Sequence, residues 1–530
     1  MRPLTLAALS ASLFLFTVGI NVSRAQTSSG PHSCPIVQTP PTAGEDLIAQ
    51  KNYKDAETLY RAAIAKNPQD PETHFGLTRA LIGLDQVTAA IAEADEMQTK
   101  FPGTALALTA QSEAAYRAGR PDDAQQFALK AARANGCEGR ALLAFTNVAE
   151  LWGFYARSWN YIQHAHAVRP NDELIRREWI WLMPRSQRAA ALEQYIQGSN
   201  HIADDDRKGY NNALDHLKAH RAGECHISST TPSVTVPMQP IYGDHTSPEA
   251  FGLDVTYNGK RRRMQIDTGA SGITLTASAA HSLGLVPEIH RKVGGVGDEG
   301  DASSYLTHVK SIKIGDVEFS DCMVEVLEKH GRLDDIDGLI GMDVFNQWLV
   351  TLDYQNIQLH LDRLPPRPGQ KPNDEDDDTP HDPYTTAPEL KDFSNTIRIG
   401  HQIMLPAEFE KKQTHFLIMD TGASITDVSP EMAREVGKLS GSDIEVYGIS
   451  GKAKKVWESK QAKLHVANLM LPPDEYYVLD TTSLSHSNGF ETSGLFGLPT
   501  LQRLSISIDY RDNLVRLKYD PKRDRQFFTR

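Results

Sequence analysis

The chain carries one short element twice. Residues 264–271 read MQIDTGAS and residues 417–424 read LIMDTGAS, which places Asp267 and Asp420 153 residues apart. A single Asp-Thr-Gly is a common tripeptide that can simply form a polar turn. Two copies, each preceded by apolar residues and followed by Ala-Ser, indicate that a stretch of the chain has been duplicated.

Landmarks after the two elements support the duplication. Four further positions match when residues are counted from each aspartate, with a single shift of three residues between the second and the third. The matched pairs are Gly284 and Gly437, Gly295 and Gly448, Gly338 and Gly494, and Asp353 and Asp509. Alternating runs such as DYQNIQLHL and DYRDNLVRL are typical of β-hairpins. Each copy therefore predicts a β-rich lobe with one short helix after its Asp-Thr-Gly.

Size and charge fit a soluble protein of several domains. The chain has 530 residues, of which 40% are hydrophobic and 23% charged, and single hydrophobic cores stop growing at about 250–300 residues. The formal charge of −13 gives no support to a nucleic-acid partner, because such partners select basic surfaces. We therefore expect no nucleic acid among its partners.

Residues 1–25 have the layout of an export signal. A basic residue, Arg2, precedes an uncharged and mostly apolar run over 4–20, and Ala25 offers a small residue before a cleavage point. An uncleaved membrane anchor is the alternative, since the run approaches the length that spans a bilayer. We expect a signal peptide followed by a linker over 26–42, and an exported mature chain, periplasmic or secreted, with no membrane span.

Four cysteines fit an exported protein. They are Cys34, Cys137, Cys225 and Cys322. They permit two disulfides in three possible pairings, and four unpaired thiols are the alternative. Their wide spacing excludes a Cys-x-x-Cys redox or zinc motif.

Residues 43–224 predict a helical domain with an internal repeat. The small residues Ala56, Ala90, Ala124 and Ser158 recur every 34 positions, as do the turn formers Pro68, Pro102, Gly136 and Pro170. A small side chain lets paired helices approach closely, and stacked pairs then share one core. The period, over about 37–170, resembles tetratricopeptide repeats, and residues 171–224 predict helices that cap them. The resemblance implies a surface that binds a peptide or protein partner, and a packing scaffold is the alternative.

Composition marks two boundaries after the repeats. From Cys225 the chain turns to Ser, Thr, Pro and Val, and short β-like runs follow, so the first lobe is expected over 233–364. Residues 365–385 are rich in proline and acidic residues and predict a solvated linker. Their acidic run lacks the spaced ligands of a calcium loop. The second lobe then covers 386–526.

The duplicated lobe resembles the aspartic proteases. Asp-Thr-Gly-Ala-Ser after an apolar strand, a glycine-bearing turn, and the elements GLIG and GLFG follow the order of that family. The short lobes are similar to retropepsin-like proteases, although retropepsins pair two identical chains and this sequence joins two lobes in one. The fold class implied is multidomain, with an N-terminal all-α helical-repeat solenoid followed by two all-β aspartic-protease-like lobes.

The resemblance implies roles for particular residues. Asp267 and Asp420 would be the catalytic pair, with threonine hydroxyls crossing between the lobes, glycines admitting backbone N–H groups, and serines bonding the outer carboxylate oxygens. The supporting residues are Thr268, Gly269, Ser271, Thr421, Gly422 and Ser424, and the flap turns over the substrate contain Gly295, Val296, Gly297, Gly448, Ile449 and Ser450. One departure is that Asp343 follows GLIG, whereas Pro499 takes that place after GLFG, so symmetric support is not assured.

Paired carboxyl groups suit the hydrolysis of a peptide bond. Two carboxylates a few ångströms apart resist simultaneous ionisation and share one proton. One can take a proton from a water while the other protonates the substrate carbonyl oxygen, and the pair titrates as a unit, so neither role is assigned to one residue. The sequence predicts an aspartic endopeptidase with no cofactor or metal. Its histidines lack metal-ligand spacing, and the acids of GVGDEG at 295–300 would repel a phosphate.

Two alternatives stay open. A non-catalytic peptide-binding protein would use the repeats and the lobes to hold ligands, although it has no need for a paired acid. A catalytic chain could also pair each lobe with its twin from a second chain, which the linker is long enough to permit. In the catalytic interpretation the helical repeats would recruit substrate or a partner protein.

Overall fold

The computed structural model describes most of the chain. The described ranges are 34–38, 40–199, 202–219, 226–227, 231–242, 248–293, 302–328, 336–368, 382, 386–410, 412–442, 447–448, 451–452 and 455–522. The chain divides into two units at residue 35, and every helix and strand below belongs to the second unit, residues 36–530. The expected signal peptide lies outside the described residues.

Three of the four cysteines fall within the described ranges. Cys34, Cys137 and Cys322 are all disulfide-bonded, and Cys225 lies outside these ranges. The alternative of four unpaired thiols is therefore excluded.

The N-terminal part of the second unit is helical. Its helices are α1 (Ala43–Ala49), α2 (Tyr53–Lys66), α3 (Pro71–Gly83), α4 (Val87–Lys100), α5 (Ala105–Arg117), α6 (Pro121–Ala134), α7 (Gly139–Leu151), α8 (Tyr155–Val168), α9 (Glu173–Leu182), α10 (Arg185–Gly198) and α11 (Asp204–Ala219). Among the described residues, no helix combines the length and the apolar character needed to cross a membrane.

The predicted repeat is visible in the helix caps. Asp70, Thr104, Glu138 and Asp172 each accept a backbone N–H from the first turn of α3, α5, α7 or α9, and they lie 34 residues apart. The four predicted small residues are fully buried on the second helix of each pair. The repeat continues one helix further than predicted, through α9, and ends where Pro184 precedes α10. The predicted solenoid is confirmed.

The two lobes are built from strands with a few short helices. Lobe 1 contains β1 (His226–Ile227), β2 (Ser233–Pro237), β3 (Gln239–Ile241), β4 (Ala250–Tyr257), β5 (Lys260–Ile266), β6 (Ile273–Thr276), α12 (Ala277–Leu283), β7 (Ile289–Val293), β8 (Ala302–Ile314), β9 (Val317–Leu327), β10 (Gly338–Ile340), β11 (Trp348–Asp353) and β12 (Gln358–Arg363). Lobe 2 contains β13 (Ser394–Asn395), β14 (Ile397–Ile399), β15 (Gln402–Phe409), β16 (His415–Asp420), β17 (Asp427–Val428), α13 (Pro430–Arg434), β18 (Ser440–Gly441), β19 (Tyr447–Gly448), β20 (Gly451–Lys452), β21 (Trp457–Glu458), β22 (Leu464–Val466), β23 (Leu469–Met470), β24 (Tyr477–Val478), α14 (Thr482–Asn488), β25 (Gly494–Gly497), α15 (Leu498–Leu501), β26 (Leu504–Asp509) and β27 (Leu514–Tyr519).

Both lobes build the same arrangement around Asp-Thr-Gly. In lobe 1, β10 is parallel to β5 on one side and antiparallel to β6 on the other. In lobe 2, β25 is placed in the same way between β16 and β17. The backbones approach so closely that a Cβ at Gly338 or at Gly494 would lie 2.1 Å from a carbonyl oxygen. The matched glycines of the duplication therefore occupy equivalent positions.

A six-stranded sheet joins the lobes in the order β13-β27-β26-β11-β12-β2. Its centre is the antiparallel pairing of β11 with β26, from Leu349 opposite Asp509 to Asp353 opposite Ser505. The predicted terminal hairpins are β11–β12 and β26–β27. One apolar core extends through both lobes, so the shared sheet and the shared core hold the two lobes together.

The solenoid packs against lobe 2. Leu151 at the end of α7 belongs to the same buried cluster as Ile397, Phe416 and Phe490 of the lobe. Arg117 at the end of α5 forms an ion pair with Glu491, at 3.5 Å. The helical array therefore packs on lobe 2 through α5 and α7, and its last helix, α11, also meets β7 of lobe 1.

One residue of the predicted linker is buried, not solvated. The side chain of Asp382 accepts a hydrogen bond from the backbone N–H of Arg157, at 3.2 Å, and its other oxygen lies 3.4 Å from the guanidinium of the same residue. Arg157 lies in the first turn of α8, where free N–H groups and the helix dipole favour an anion. The expectation of a fully solvated linker is wrong at this position, and residues 369–381 and 383–385 lie outside the described ranges.

Candidate active site

Asp267 and Asp420 come together across the lobe interface. Asp267 follows β5 directly, and Asp420 is the last residue of β16. Each carboxyl group lies against the glycine of the opposite turn and is close enough to shift the pKa of the other. Both side chains are half-buried, so the pair is enclosed by protein on several sides and still reachable from solvent. A single chain supplies both residues, so no second chain is needed to complete the pair.

Two threonines bind the lobes together beneath the pair. The hydroxyl of Thr268 donates to the carbonyl oxygen of Met419 (2.7 Å) and accepts the N–H of Thr421 (3.0 Å). The hydroxyl of Thr421 donates to the carbonyl oxygen of Ile266 (3.2 Å) and accepts the N–H of Thr268 (3.0 Å). Both threonines are buried. The predicted crossing of hydroxyl groups between the lobes is therefore present in both directions.

Glycine is required at the position after each of these threonines. A Cβ on Gly269 would lie 2.7 Å from Cγ of Asp420, and a Cβ on Gly422 would lie 2.5 Å from Oδ2 of Asp267. Real Cβ atoms do not come so close to other atoms. Each glycine thus leaves room for the carboxyl group of the opposite lobe.

Backbone N–H groups orient each carboxyl group in the same way. Oδ1 of Asp267 accepts hydrogen bonds from Gly269 (2.8 Å) and Ala270 (3.0 Å). Oδ1 of Asp420 accepts them from Gly422 (2.8 Å) and from the following alanine (3.1 Å). Because Oδ1 is held in the same way in both lobes, each turn sets the plane of its own carboxyl group.

The surroundings favour a shared proton. Burial raises the pKa of Asp267 well above its usual range, and the neighbouring charge of Asp420 raises that pKa further. Burial also raises the pKa of Asp420, against the lowering effect of the N–H of Gly422 and of the hydrogen bond with Asp267. Two carboxyl groups this close cannot easily both ionise. The arrangement can therefore supply a base and an acid at once.

The serines of the two elements do not bond the paired carboxyl groups. The hydroxyl of Ser271 donates to Oδ2 of Asp343 (2.9 Å), and Oδ1 of Asp343 accepts the N–H of Gly272 (2.8 Å). Ser424 is exposed, and the hydrogen bonds among the described residues include none between it and Asp420. The expectation that these hydroxyls bond the outer carboxylate oxygens is wrong for Ser271, because its hydroxyl donates to Asp343 instead.

The flap turns are described only in part. In lobe 2, β19 pairs with β20, with Gly448 opposite Gly451, and the predicted residues Ile449 and Ser450 between them lie outside the described ranges. In lobe 1, β7 pairs with β8, and the predicted turn 295–297 lies outside as well. Both predicted flaps thus correspond to antiparallel hairpins whose tips are not described.

Two residues near the pair carry no clear sequence signal. His401, in the turn between β14 and β15, places Nε2 2.9 Å from the carbonyl oxygen of Gly269. Asp427 on β17 is buried, and burial raises its pKa to about 8. The only hints are a Gly-His turn between two alternating runs and an acid inside the apolar stretch that follows Ser424. Neither hint indicates that the residue lies near the pair.

The described residues around the pair include no candidate metal site. Within the described ranges, no group of three or more His, Cys, Asp or Glu side chains is close enough together to hold a metal ion.

Comparisons with known proteins recover both parts of the chain. Residues 253–344 match the family model of aspartyl proteases. Residues 47–113 match that of tetratricopeptide repeats. Both resemblances drawn from the sequence are thereby confirmed.

Individual relatives are distant. The UBA domain-containing protein Mud1 of Schizosaccharomyces pombe is 29% identical over 143 residues, which make up 25% of this chain and 41% of that protein. Among solved structures, an aspartic proteinase from Irpex lacteus is similar at 12% identity and a TM-score of 0.35, covering 56% of this chain and 98% of its own. A retropepsin-like aspartic protease from Rickettsia conorii is similar at 22% identity and a TM-score of 0.19, covering 26% of this chain and 92% of its own.

Proposed function

We propose that this chain is an aspartic endopeptidase in which Asp267 and Asp420 activate a water against a peptide bond. The supporting observation is the close approach of two carboxyl groups, each held by its own turn and lying against the glycine of the opposite turn. With one proton shared, the carboxylate takes a proton from water while the acid protonates the carbonyl oxygen. The water oxygen bonds to the carbonyl carbon, the C–N bond then breaks, and a proton passes to the departing amine.

The flap hairpins suggest an extended peptide as the substrate. The hairpins β7–β8 and β19–β20 belong to opposite lobes. A strand laid between them and the carboxyl pair would bind through its backbone groups, and its side chains would set the preference.

The helical solenoid is proposed to recruit the substrate or a partner protein. Helices of the solenoid line a cavity of about 490 Å³ and a second of about 710 Å³, and pockets of about 300–1,000 Å³ suit small ligands or short peptide segments. The larger cavity is lined by Tyr53, Tyr116 and Trp181 of the solenoid and reaches Gly400 of lobe 2. A segment held there would lie close to the hairpin that carries His401.

Export is proposed from the N-terminal signal. If the signal is cut after Ala25, the mature protein begins at Gln26. N-terminal sequencing of the protein recovered outside the cytoplasm tests this. Recovery of the chain only from the cytoplasm, with residues 1–25 intact, would contradict it.

The activity is tested with isosteric changes at the pair. The wild type, Asp267→Asn and Asp420→Asn are incubated with denatured protein and a peptide library from about pH 3 to about pH 8. Each substitution is expected to abolish cleavage, because an amide can neither share the proton nor accept one from water. Asp316→Asn, at an exposed turn in lobe 1, is the matched control and should leave cleavage unchanged.

The outcomes separate the two candidate functions. Cleavage that survives both substitutions at the pair would exclude the mechanism. Retained peptide affinity without cleavage in all three forms would indicate a binding protein. Because burial raises the pKa of both carboxyl groups, the singly protonated pair extends toward neutral pH, and cleavage should persist there.

A further inference from the structure

The hairpin between β14 and β15 turns on two residues, Gly400 and His401. Ile399 lies opposite Gln402, and Gly400 adopts a φ of +59° that an L side chain rarely takes. The turn points the His401 ring across the lobe boundary, where Nε2 lies 2.9 Å from the carbonyl oxygen of Gly269. Lobe 2 therefore contacts the catalytic turn of lobe 1 through a histidine.

The partner atom fixes where the ring carries its hydrogen. A carbonyl oxygen only accepts hydrogen bonds, so Nε2 of His401 must be the donor. Nε2 carries a hydrogen in one neutral tautomer and in the imidazolium form. The contact with Gly269 is therefore compatible with both of these forms of the ring.

The contact acts on a peptide group that also serves Asp267. The carbonyl of Gly269 and the N–H of Ala270 belong to one planar peptide unit. That N–H donates to Oδ1 of Asp267 at 3.0 Å. Holding the carbonyl end of the unit limits its rotation and so keeps the N–H end directed at the carboxyl group.

The solenoid holds the hairpin in place. Arg398 on β14 donates from one nitrogen to the carbonyl oxygen of Tyr510 (2.8 Å) and from the other to the hydroxyl of Tyr155 in α8 (2.7 Å). Ile397 packs in one cluster with Leu151 at the end of α7. The segment that presents His401 is thus anchored on the helical array.

We propose that His401 is a positioning residue for the Asp267–Asp420 pair, and that the solenoid acts on the reaction by anchoring the hairpin that presents it. The inference rests on the proposed function. It gives the helical array a role inside the reaction, beside any role in recruitment.

Two variants separate the hydrogen bond from the charge. His401→Phe removes both, whereas His401→Gln keeps an N–H donor and removes the positive charge that the ring can carry. We expect His401→Phe to lower kcat roughly 3- to 10-fold, the effect of one net hydrogen bond, with KM nearly unchanged. His401→Gln should recover most of that loss. His465→Phe, at a half-exposed histidine elsewhere in lobe 2, is the control.

The pH profile gives a readout that a merely structural role would not move. The charged and titratable groups around this hairpin include Asp267, Asp420, Arg398, Tyr155 and Tyr510. Glu150 and Glu178 of the solenoid line the same cavity as Gly400. A positive His401 favours the ionised form of Asp420. In His401→Gln the acid limb of kcat should therefore move to higher pH, while kcat at the optimum stays close to that of the wild type.

The link to the solenoid is tested at Tyr155. Tyr155→Phe removes the hydroxyl that accepts from Arg398, and we expect a fall in kcat of about two-fold. In the double variant with His401→Phe the two losses should not add, because both act through one hairpin. Additive losses would overturn the role of the solenoid.

Each remaining outcome is decisive. Equal kcat for His401→Phe and the wild type, or a His401→Gln variant as slow as His401→Phe, overturns the inference alone. Thermal unfolding of each variant shows whether a lower kcat reflects loss of the fold. If His401→Phe does not fold, the comparison of His401→Gln with the wild type decides the question. A wild type without cleavage overturns the proposed function and this inference together.

Discussion

The two lobes hold the same catalytic turn on different supports. In lobe 1, the side chain of Asp343 accepts the hydroxyl of Ser271 and fixes the end of the turn. In lobe 2, Pro499 takes that place, and the hydroxyl of Thr426 contacts that of Thr500 at 2.9 Å instead. The backbone hydrogen bonds to the two carboxyl groups are nevertheless equal in number and nearly equal in length, 2.8 and 3.0 Å in lobe 1 against 2.8 and 3.1 Å in lobe 2. The atoms that touch the carboxyl groups are thus matched, whereas the residues behind them have diverged.

A second difference lies on the central strands of the lobes. Thr274 on β6 lies opposite Leu339, and Asp427 on β17 lies opposite Leu495, so the two positions correspond. Lobe 1 has a hydroxyl there, and lobe 2 has a buried carboxyl group. Lobe 2 also shares a buried cluster with Leu151 of the solenoid. The two lobes therefore match at the residues that contact the paired carboxyl groups and differ at the residues behind them.

The largest expected effect tests the symmetry of the glycines. Gly422→Ala and Gly269→Ala should each lower kcat at least about 100-fold, because displacing a catalytic group by about 1 Å can cost that much. The added methyl would lie 2.5 Å from Oδ2 of Asp267 or 2.7 Å from Cγ of Asp420. Gly441→Ala is the control, since a Cβ there meets nothing within 4 Å. A large loss of kcat in only one of the two variants would show that the two glycines are not equivalent.

An intermediate effect tests the crossing threonines. Thr268→Val and Thr421→Val each leave a buried backbone N–H and a carbonyl oxygen without their partner, which costs about 2–4 kcal/mol of unfolding free energy. The two losses should agree within about 1 kcal/mol, since the contacts correspond. Urea unfolding measures them. Thr235→Val, on an exposed strand position, is the control and should change stability by less than about 0.5 kcal/mol.

The smallest effect tests the asymmetry at Asp427. Its usual pKa is 3.8, and burial raises the pKa to about 8 in the folded chain. Between these values the folded chain keeps a proton that the unfolded chain releases, so this residue makes stability fall as pH rises through that window. Asp427→Asn removes the titration. It should be more stable than the wild type by about 1–3 kcal/mol at neutral pH and equal to it near pH 4.

Urea unfolding at several pH values checks the prediction for Asp427. The exposed variant Asp316→Asn is the control and should show no comparable pH-dependent gain. A stability difference between Asp427→Asn and the wild type that does not change with pH would remove this contrast between the lobes.

Much of the fold could be predicted from repeated local patterns. The buried positions of Ala56 and Ser158 follow from a spacing of 34, and the pairing of Asp267 with Asp420 follows from a duplicated element. Contacts between distant segments could not be predicted. Asp382 is buried because it meets the start of α8, and Ser271 bonds Asp343 and not the carboxyl pair. Each outcome depends on which partner the folded chain brings near.

The sequence by itself determined the two halves of the architecture and the identity of the paired acids, because periodicity and duplication are properties of residue order. Only the tertiary structure decided what surrounds that pair. His401 reaches Gly269 across 132 residues of sequence, and no local pattern encodes a contact at that separation. The hydrogen bond forms because the solenoid, the β14–β15 hairpin and both lobes pack together. Packing brings together surfaces whose residues are far apart in the sequence.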